Sequence, residues 1–217
     1  MTIQTPIPDF DAARRAMVDG QLRPQGVNDR FVLEAMAAVP REQFVPEHLR
    51  PVAYSDRSLP LGEGRSIAAA SVIGLLLTEM IPQAGERALV VGAGTGYSAA
   101  LLQSMGVEVV ALECSAELAE KARQLGVTVV EGPLEAGHQA GAPYDLILID
   151  GAVEHLPERL IDQLAEGGRL GAAIAGRAIA RLVVGRKAPG GGFGQRSIAD
   201  AAVAALPGFA RPQAFTF

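Results

Sequence analysis

The sequence is poor in the residues that mark several common classes of protein. Its 217 residues include a single cysteine, Cys114, so an intrachain disulfide is excluded. One cysteine is typical of a protein that works in a reducing compartment. The three histidines, His48, His138 and His155, are scattered and lack the spacing of metal ligands. We therefore expect no structural disulfide and no metal site.

Long runs of one residue class are also missing. The formal net charge is −5 and no long basic run occurs, which argues against binding nucleic acid through its phosphates. Residues 1–15 lack the apolar segment of a signal peptide. The most apolar helical stretch, residues 68–81, is too short to cross a bilayer. Composition thus predicts a soluble cytoplasmic protein with neither nucleic acid nor membrane as a partner.

The hydrophobic residues, 49% of the chain, suffice for one core with a small added subdomain. Residues 9–60 look helical and broken by prolines, with Asp9 and either Asn28 or Asp29 as helix caps. From residue 87 strands and helices alternate, which predicts a parallel sheet covered by helices on both faces. The predicted strands are 88–91, 107–112, 127–130, 144–149 and 169–174, and the predicted helices are 68–81, 97–105, 115–125 and 157–165. Later strands are expected at 179–187 and 214–217, while residues 197–206 fit a helix or a loop.

The most informative segment is a buried strand that runs into a glycine loop and then a helix. It reads Ala-Leu-Val-Val-Gly-Ala-Gly-Thr-Gly-Tyr at residues 88–97. Glycines allow a tight turn and a close approach of a ligand to the backbone, and the following helix would point its N-terminus at that ligand. Such a loop also occurs purely for strand–helix packing, so its context has to decide.

An acid at the end of the next strand supplies that context. Glu113 lies 21 residues after Gly92, where doubly wound folds place a carboxylate that accepts both ribose hydroxyls. Tyr97 stands where a dinucleotide fingerprint has its third glycine, which disfavours a dinucleotide and a dehydrogenase. A nucleoside ligand without pyrophosphate fits these features best, and S-adenosylmethionine is such a ligand.

With these motifs the chain resembles the protein-L-isoaspartate O-methyltransferases over most of its length. The most specific motif is Val-Pro-Arg-Glu-Gln-Phe-Val-Pro at residues 39–46, ahead of the glycine loop. Further matching segments lie at residues 17–18, 21–22, 26–27, 32–36, 53–56, 59–64, 142–145, 163–164 and 167–170.

The resemblance implies an α/β fold: a Rossmann-like, seven-stranded S-adenosylmethionine-dependent methyltransferase sandwich with an N-terminal helical subdomain. The last strand is expected to insert antiparallel. Residues 1–66 would form the subdomain and wall the substrate cleft, and residues 67–217 would form the core. The implied activity is methyl transfer from S-adenosylmethionine to the free carboxylate of L-isoaspartyl residues in damaged proteins, leaving S-adenosylhomocysteine. The expected partners are isoaspartyl proteins or peptides, bound by a monomer or weak homo-oligomer.

The resemblance and the motif spacing together predict which residues form the cofactor and substrate sites. Ser66 is the expected catalytic hydroxyl. The expected cofactor-binding residues are Ser66, Ile67, Ala68, Gly92, Ala93, Gly94, Thr95, Gly96, Tyr97, Glu113, Cys114, Pro133, Leu134 and Asp150. The expected substrate-binding residues are Tyr54, Asp56 and Arg65; packing explains Tyr54 and Asp56 equally well. Cys114 is expected to line the adenine pocket rather than to act as a nucleophile.

The chain departs from the family pattern in the segment Gly-x-Gly-Gln-Thr-Ile-Ser-x-Pro. Arg65 replaces its glutamine, Ser66 its threonine and Ala68 its serine, so one hydroxyl is lost. Further departures stand at the cofactor positions 90, 133 and 150. The Arg65 guanidinium suits a carboxylate clamp or a solvated loop position, and Asp150 suits a ligand contact or a turn and helix cap.

Two alternatives to isoaspartyl repair therefore stay open. One is a methyltransferase with a different carboxylate acceptor, which Arg65 and Ala68 suggest. The other is a catalytically weak paralogue that binds S-adenosylmethionine or a protein partner, which positions 68, 90 and 133 suggest.

Overall fold

The computed structural model describes residues 9–210 and contains one seven-stranded sheet, a separate two-stranded hairpin and six α-helices. The small hairpin consists of β1 (Leu59–Gly62) and β2 (Arg65–Ile67). The large sheet consists of β3 (Arg87–Val91), β4 (Glu108–Glu113), β5 (Val129–Glu131), β6 (Tyr144–Val153), β7 (Leu164–Ile174), β8 (Ala180–Lys187) and β9 (Phe193–Ala201). The helices are α1 (Phe10–Met17), α2 (Arg30–Ala38), α3 (Ala70–Met80), α4 (Tyr97–Ser104), α5 (Ala116–Gln124) and α6 (Glu158–Asp162).

The large sheet is mixed, with the strand order β5-β4-β3-β6-β7-β8-β9. Strands β3 to β7 pair in parallel, as predicted, whereas β8 is antiparallel to β7 and to β9. The last strand expected from the sequence, 214–217, lies outside the described residues, so its antiparallel insertion stays a prediction. Among residues 9–210, β9 forms the edge of the sheet. The turn at residues 188–192 is short enough only for a hairpin, and a hairpin places β9 beside β8.

The central strand β3 shows why its sequence is apolar without alternation. Ala88, Leu89, Val90 and Val91 are all completely buried. Ala88 and Val90 join the core cluster on one face of the sheet, while Leu89 and Val91 join the cluster on the other face. Successive residues of a strand point to opposite faces, so a strand covered on both sides needs an apolar residue at every position.

The N-terminal elements share their core with one face of the sheet. Asp9 caps α1 by accepting the Ala12 N–H at 2.9 Å, and Asp29 caps α2 by accepting the Val32 N–H at 2.9 Å. Met17 and Met36 are fully buried in the same cluster as Val90. The helical character predicted for this region is confirmed, and Asp29 is the cap of the second helix.

Three local expectations are corrected by the structure. The helical character expected up to residue 60 ends earlier, because Leu59 and Pro60 belong to β1. The turn residues of the β1–β2 hairpin, Glu63 and Gly64, both have positive φ, 51° and 70°, which suits a tight two-residue hairpin. Helix α6 is shorter than expected because β7 begins at Leu164. Residues 197–201 continue β9, so that part of the undecided segment is neither helix nor loop. The strand predicted at 214–217 lies outside the described residues.

Among residues 9–210, no helix has the length and apolar character needed to cross a membrane.

Candidate cofactor site

The glycine loop joins the end of β3 to the start of α4 at the carboxyl edge of the sheet. Gly92, Gly94 and Gly96 have φ of 75°, 57° and 94°, a region that other residues rarely adopt. A Cβ on Gly96 would approach the Val127 side chain to 2.8 Å, so this glycine serves strand–helix packing. Gly92 and Gly94 instead border the space above the loop.

Glu113 lies beside this loop because β3 and β4 pair in parallel, with Val91 opposite Leu112. Its carboxylate is completely buried. Oε2 accepts the Gly94 N–H at 2.7 Å, while Oε1 accepts the backbone N–H groups of Cys114 at 2.8 Å and Ser115 at 3.1 Å. The predicted proximity of this acid to the glycine loop is thus present in the structure.

Arg65 occupies the position facing Glu113 and the loop. Its Nη1 lies 2.5 Å from Oε1 of Glu113, and its Nη2 donates to the backbone oxygen of Gly92 at 2.7 Å. Only 4% of its side chain is exposed, so the reading of Arg65 as a solvated loop residue is wrong. The substrate role of Arg65 stays a prediction, and it requires the guanidinium to leave Glu113.

Apolar side chains fill the rest of the space over the loop. A Cβ added to Gly94 would lie 2.9 Å from Cδ1 of Leu61 in β1. Leu206 lies 2.9 Å from the position of a Cβ on Gly92 and 2.5 Å from that of a Cβ on Gly151. Leu206 belongs to residues 202–209, the segment after β9 that we call the strap.

Asp150 lies in β6 and is only partly exposed. It accepts a hydrogen bond of 2.6 Å from the Ser98 hydroxyl. Burial raises the pKa of Asp150 to about 6, against the opposing effects of the Ser98 hydrogen bond and of the cations Arg65 and Arg41. Because β6 continues to Val153, the interpretation of Asp150 as a turn or helix cap is wrong, while its contact with a cofactor stays a prediction.

Ser66, the expected catalytic residue, lies in β2 between two buried neighbours. Alternate residues of a strand point to opposite faces, so Ser66 lies on the face opposite that of Arg65 and Ile67. Ala68 is 5% exposed, and its backbone oxygen accepts a 2.6 Å hydrogen bond from Nη2 of Arg41. The catalytic role of Ser66 stays a prediction.

Tyr54 and Asp56 both tie the N-terminal elements together. The Tyr54 hydroxyl accepts a 2.7 Å hydrogen bond from Nε of Arg14 and donates one to Glu42. Asp56 accepts hydrogen bonds from the Ser71 hydroxyl, at 2.7 Å, and from the Gln25 side-chain amide. Burial and the bond to Glu42 raise the pKa of Tyr54. These contacts support the packing interpretation, and the substrate roles stay predictions.

The remaining predicted cofactor residues divide between core and surface. Ala93, Thr95 and Tyr97 are buried, and the Thr95 hydroxyl donates to the Phe44 carbonyl oxygen at 2.6 Å. Leu134 is buried in the same cluster as Leu206, whereas Pro133 and Cys114 are exposed.

Burial and the neighbouring Glu113 raise the pKa of the Cys114 thiol, which disfavours a nucleophilic role. Within residues 9–210 no cluster of three or more histidine, cysteine or acidic side chains could hold a metal ion.

Sequence reasoning missed three residues that shape this site: Arg41, Leu61 and Leu206. Arg41 is completely buried and donates from Nε to the Ala53 oxygen at 2.9 Å, so it connects the N-terminal region to the segment at residue 68. The available signal for Arg41 was its place in the specific motif at residues 39–46. Leu206 stands in an alanine-rich stretch without a motif, and nothing in the sequence pointed to it.

The polar groups of the site match a nucleoside ligand, but Arg65 and Leu206 already contact or cover them. The Glu113 carboxylate and the Gly92 carbonyl are acceptors of the kind that ribose hydroxyls and an amino group require. Arg65 already donates to both of them, and Leu206 fills the notch between Gly92 and Gly151. A nucleoside that used these two acceptors would therefore compete with Arg65, and a group that approached Gly92 on its Cβ side would meet Leu206.

The sheet order, the glycine loop and the acid at the end of β4 define a Rossmann-like methyltransferase fold. The family model of protein-L-isoaspartate(D-aspartate) O-methyltransferase matches residues 13–200. The chain belongs to this family.

Relatives and solved structures agree with the family match. A protein-L-isoaspartate O-methyltransferase of Methylorubrum extorquens is 45% identical over 175 residues, 78% of this chain and 77% of that protein. One of Methanoculleus marisnigri is 39% identical over 177 residues, 78% of this chain and 80% of that protein. A solved protein-L-isoaspartate O-methyltransferase superposes with a TM-score of 0.78 at 25% identity, covering 90% of this chain and 66% of that one. A Plasmodium falciparum structure in complex with S-adenosyl-L-homocysteine has a TM-score of 0.77 at 22% identity, covering 89% of this chain and 97% of that one; it supports the fold.

Proposed function

We propose that the protein transfers a methyl group from S-adenosylmethionine to the free carboxylate of L-isoaspartyl residues in damaged proteins. The observation that carries this proposal is the family match over residues 13–200, within which Glu113 contacts the glycine loop at Gly94. In this proposal the protein is a cytoplasmic enzyme, a monomer or weak homo-oligomer, whose partners are isoaspartyl proteins and not nucleic acids or membranes.

The reaction needs little acid–base chemistry from the protein. A carboxylate is already an anion at neutral pH, so its oxygen requires no general base. S-adenosylmethionine supplies, when bound, a methyl group on a sulfonium that is a good leaving group. The chain's own residues then have to hold the acceptor carboxylate in line and exclude water.

The residues of the site divide this work in the proposal. Gly92 and Gly94 allow close approach to the backbone, and Glu113 accepts hydrogen bonds from the ribose. Ser66 is the remaining hydroxyl of the active-site segment, and residues 1–66 wall the cleft for the peptide. Arg65, once released from Glu113, is a donor for the substrate carboxylate.

A second candidate is a paralogue with weak catalysis. The observation that favours it is the position of Arg65, which takes the acceptors that a nucleoside would use. A different carboxylate acceptor is the other alternative, and the same change at residue 65 supports it.

The test is methyl transfer from labelled S-adenosylmethionine to an isoaspartyl peptide, with the aspartyl peptide of the same sequence as the control. We expect the isoaspartyl peptide alone to be methylated. If the isoaspartyl peptide stays unlabelled and another compound in a panel of carboxylates is labelled, isoaspartyl repair is rejected and the acceptor is a different carboxylate. If calorimetry shows cofactor binding but no carboxylate is labelled, the result would favour the paralogue with weak catalysis.

A further inference from the structure

We propose that the strap, residues 202–209, is an autoinhibitory segment that closes the cofactor site, with the Arg65–Glu113 pair as its latch. The inference rests on the proposed function, because it concerns how S-adenosylmethionine gains access to that site. The strap follows the family match, which ends at residue 200.

The strap is held along the end of β6 by regular backbone hydrogen bonds. The Ala152 N–H donates to the Ala204 oxygen at 2.8 Å, and the Leu206 N–H donates to the Ala152 oxygen at 2.8 Å. Ala205 thereby forms a parallel bridge with Ala152. These bonds extend the sheet at the carboxyl edge of its strands, where ligands of this fold class bind.

Two apolar side chains anchor the strap. Leu206 is 7% exposed and Phe209 is 1% exposed, and both belong to the core cluster that contains Val91 and Leu134. Leu206 fills the notch above Gly92 and Gly151. A ligand group that approached the Gly92 backbone on its Cβ side would meet the Leu206 methyl groups, so the strap would have to leave to admit it.

Arg65 closes the site from the opposite side. Its guanidinium engages the Glu113 carboxylate and the Gly92 carbonyl together, so both acceptors are satisfied without a ligand. Nη2 of Arg65 would also lie 3.1 Å from a Cβ on Gly92, next to the Leu206 methyl groups at 2.9 Å. Arg65 and Leu206 therefore meet over the same glycine, one from the hairpin and one from the strap.

This arrangement implies an equilibrium between a closed form and an open form that binds the cofactor. The apparent affinity for the cofactor is proportional to the fraction of protein that is open, so a mostly closed protein binds weakly. A change that weakens the closed form should then tighten cofactor binding without adding a contact to the ligand.

The first experiment measures binding of S-adenosylhomocysteine by calorimetry to the full-length protein and three variants. Leu206→Ala empties the notch, and Arg65→Gln releases the latch while Glu113 keeps three backbone N–H donors. Leu164→Ala is the matched control, because Leu164 is a buried leucine of the same cluster at the start of β7. We expect about tenfold or greater tightening for Leu206→Ala and Arg65→Gln, and none for Leu164→Ala.

The second experiment follows amide hydrogen exchange in the wild-type protein. The N–H groups of Leu206 and Ala152 are both bonded across the strap. We expect S-adenosylhomocysteine to speed exchange at these two amides, because the strap has to leave, while amides of the β7–β8 ladder stay protected.

The proposal is overturned if Leu206→Ala binds S-adenosylhomocysteine no more tightly than the wild type, or if the two strap amides stay protected when the ligand is bound. It is also overturned if neither the wild type nor a released variant binds the ligand. Methyl transfer to the isoaspartyl peptide separates the two proposals. Tighter binding by the variants, without methylation of that peptide by the wild type or by Leu206→Ala, which keeps Arg65, would reject the proposed function and retain the strap. Methylation by the wild type with a protected strap would do the reverse.

Discussion

Nη1 of Arg65 lies 2.5 Å from Oε1 of Glu113, and the two side chains are only 4% and 0% exposed. The pair connects the β1–β2 hairpin to the end of β4, across the space above the glycine loop. Its two members are not equally dependent on each other. Glu113 also accepts three backbone N–H groups, whereas Arg65 also donates to the Gly92 carbonyl but has no other direct carboxylate partner among residues 9–210.

The first prediction follows from this asymmetry. Glu113→Gln leaves a buried guanidinium without its carboxylate and should lower the free energy of unfolding by about 3–5 kcal/mol. Arg65→Gln should cost less, because the Glu113 carboxylate keeps its backbone donors. Urea unfolding of both variants measures the difference. An equal loss for the two variants, or a larger one for Arg65→Gln, would contradict the asymmetry.

The second prediction concerns Asp150 and pH. Its pKa is raised to about 6 in the folded protein, whereas an unfolded aspartate titrates near 3.9. Between about pH 4 and pH 6 the unfolded chain therefore loses this proton while the folded protein keeps it, and stability falls as the pH rises. Asp150→Asn should abolish this loss. Since the side chain is only partly exposed, we expect the variant to be more stable than the wild type by about 2 kcal/mol above pH 7, and equal below pH 4.

Unfolding by urea at a series of pH values tests this expectation. Ser98→Ala provides a second comparison, because the Ser98 hydroxyl donates to the Asp150 carboxylate and favours its charged form. Its loss should enlarge the fall in stability with pH. A difference between Asp150→Asn and wild type that stays constant from pH 4 to pH 8 would show that Asp150 does not titrate in this way.

The third prediction separates packing from substrate binding at Tyr54. Tyr54→Phe removes the hydroxyl that accepts from Arg14 and donates to Glu42. We expect the free energy of unfolding to fall by about 1–2 kcal/mol, because partly buried charged groups lose a hydrogen bond. The KM for an isoaspartyl peptide should stay within about twofold of the wild-type value, since the expected loss is one of packing.

Tyr144→Phe is the matched control for this change. The Tyr144 hydroxyl donates to the His138 carbonyl oxygen at 2.9 Å, at the start of β6 and away from the carboxyl edge. It should lower stability by about 1 kcal/mol and leave KM unchanged. If Tyr54→Phe instead raised KM about tenfold at unchanged stability, Tyr54 would be a substrate contact.

Much of the core was predictable because it depends on local patterns. The buried strand at residues 88–91 is fully apolar, so its position between two covered faces could be read from the sequence. The acid at 113 could be placed beside the glycine loop because parallel strands end at the same edge. Asp9 could be recognised as a cap from its residue type alone.

The closed state of the site was not predictable in the same way. The contact between Arg65 and Glu113 joins positions 48 residues apart, and that between Leu206 and Gly92 joins a motif to an alanine-rich stretch that fits several structures. The edge position of β9 depends on the hairpin at residues 188–192 and not on the periodicity of the strand itself. Such contacts depend on the assembled fold. The residue types alone are compatible with several different contact partners.

The fourth prediction concerns the hydroxyl that the chain lacks at residue 68. Ala68 lies directly after β2 and is 5% exposed, and its backbone is fixed by the hydrogen bond from Arg41. Because this backbone position is fixed, Ala68→Ser should restore the serine hydroxyl of the family pattern that this segment resembles, without changing the chain path. A hydrogen bond gained there is worth about 1–3 kcal/mol when it satisfies a buried partner, which corresponds to roughly a ten- to hundredfold faster methyl transfer.

The measurement is kcat for an isoaspartyl peptide at saturating S-adenosylmethionine, because saturation removes the effect of a closed cofactor site from the rate. Ala69→Ser is the control, since it adds the same hydroxyl one residue later, at a position that is also buried. We expect kcat to rise for Ala68→Ser and not for Ala69→Ser, with the affinity for S-adenosylhomocysteine unchanged in both. An unchanged kcat for Ala68→Ser would show that the missing hydroxyl does not limit the reaction.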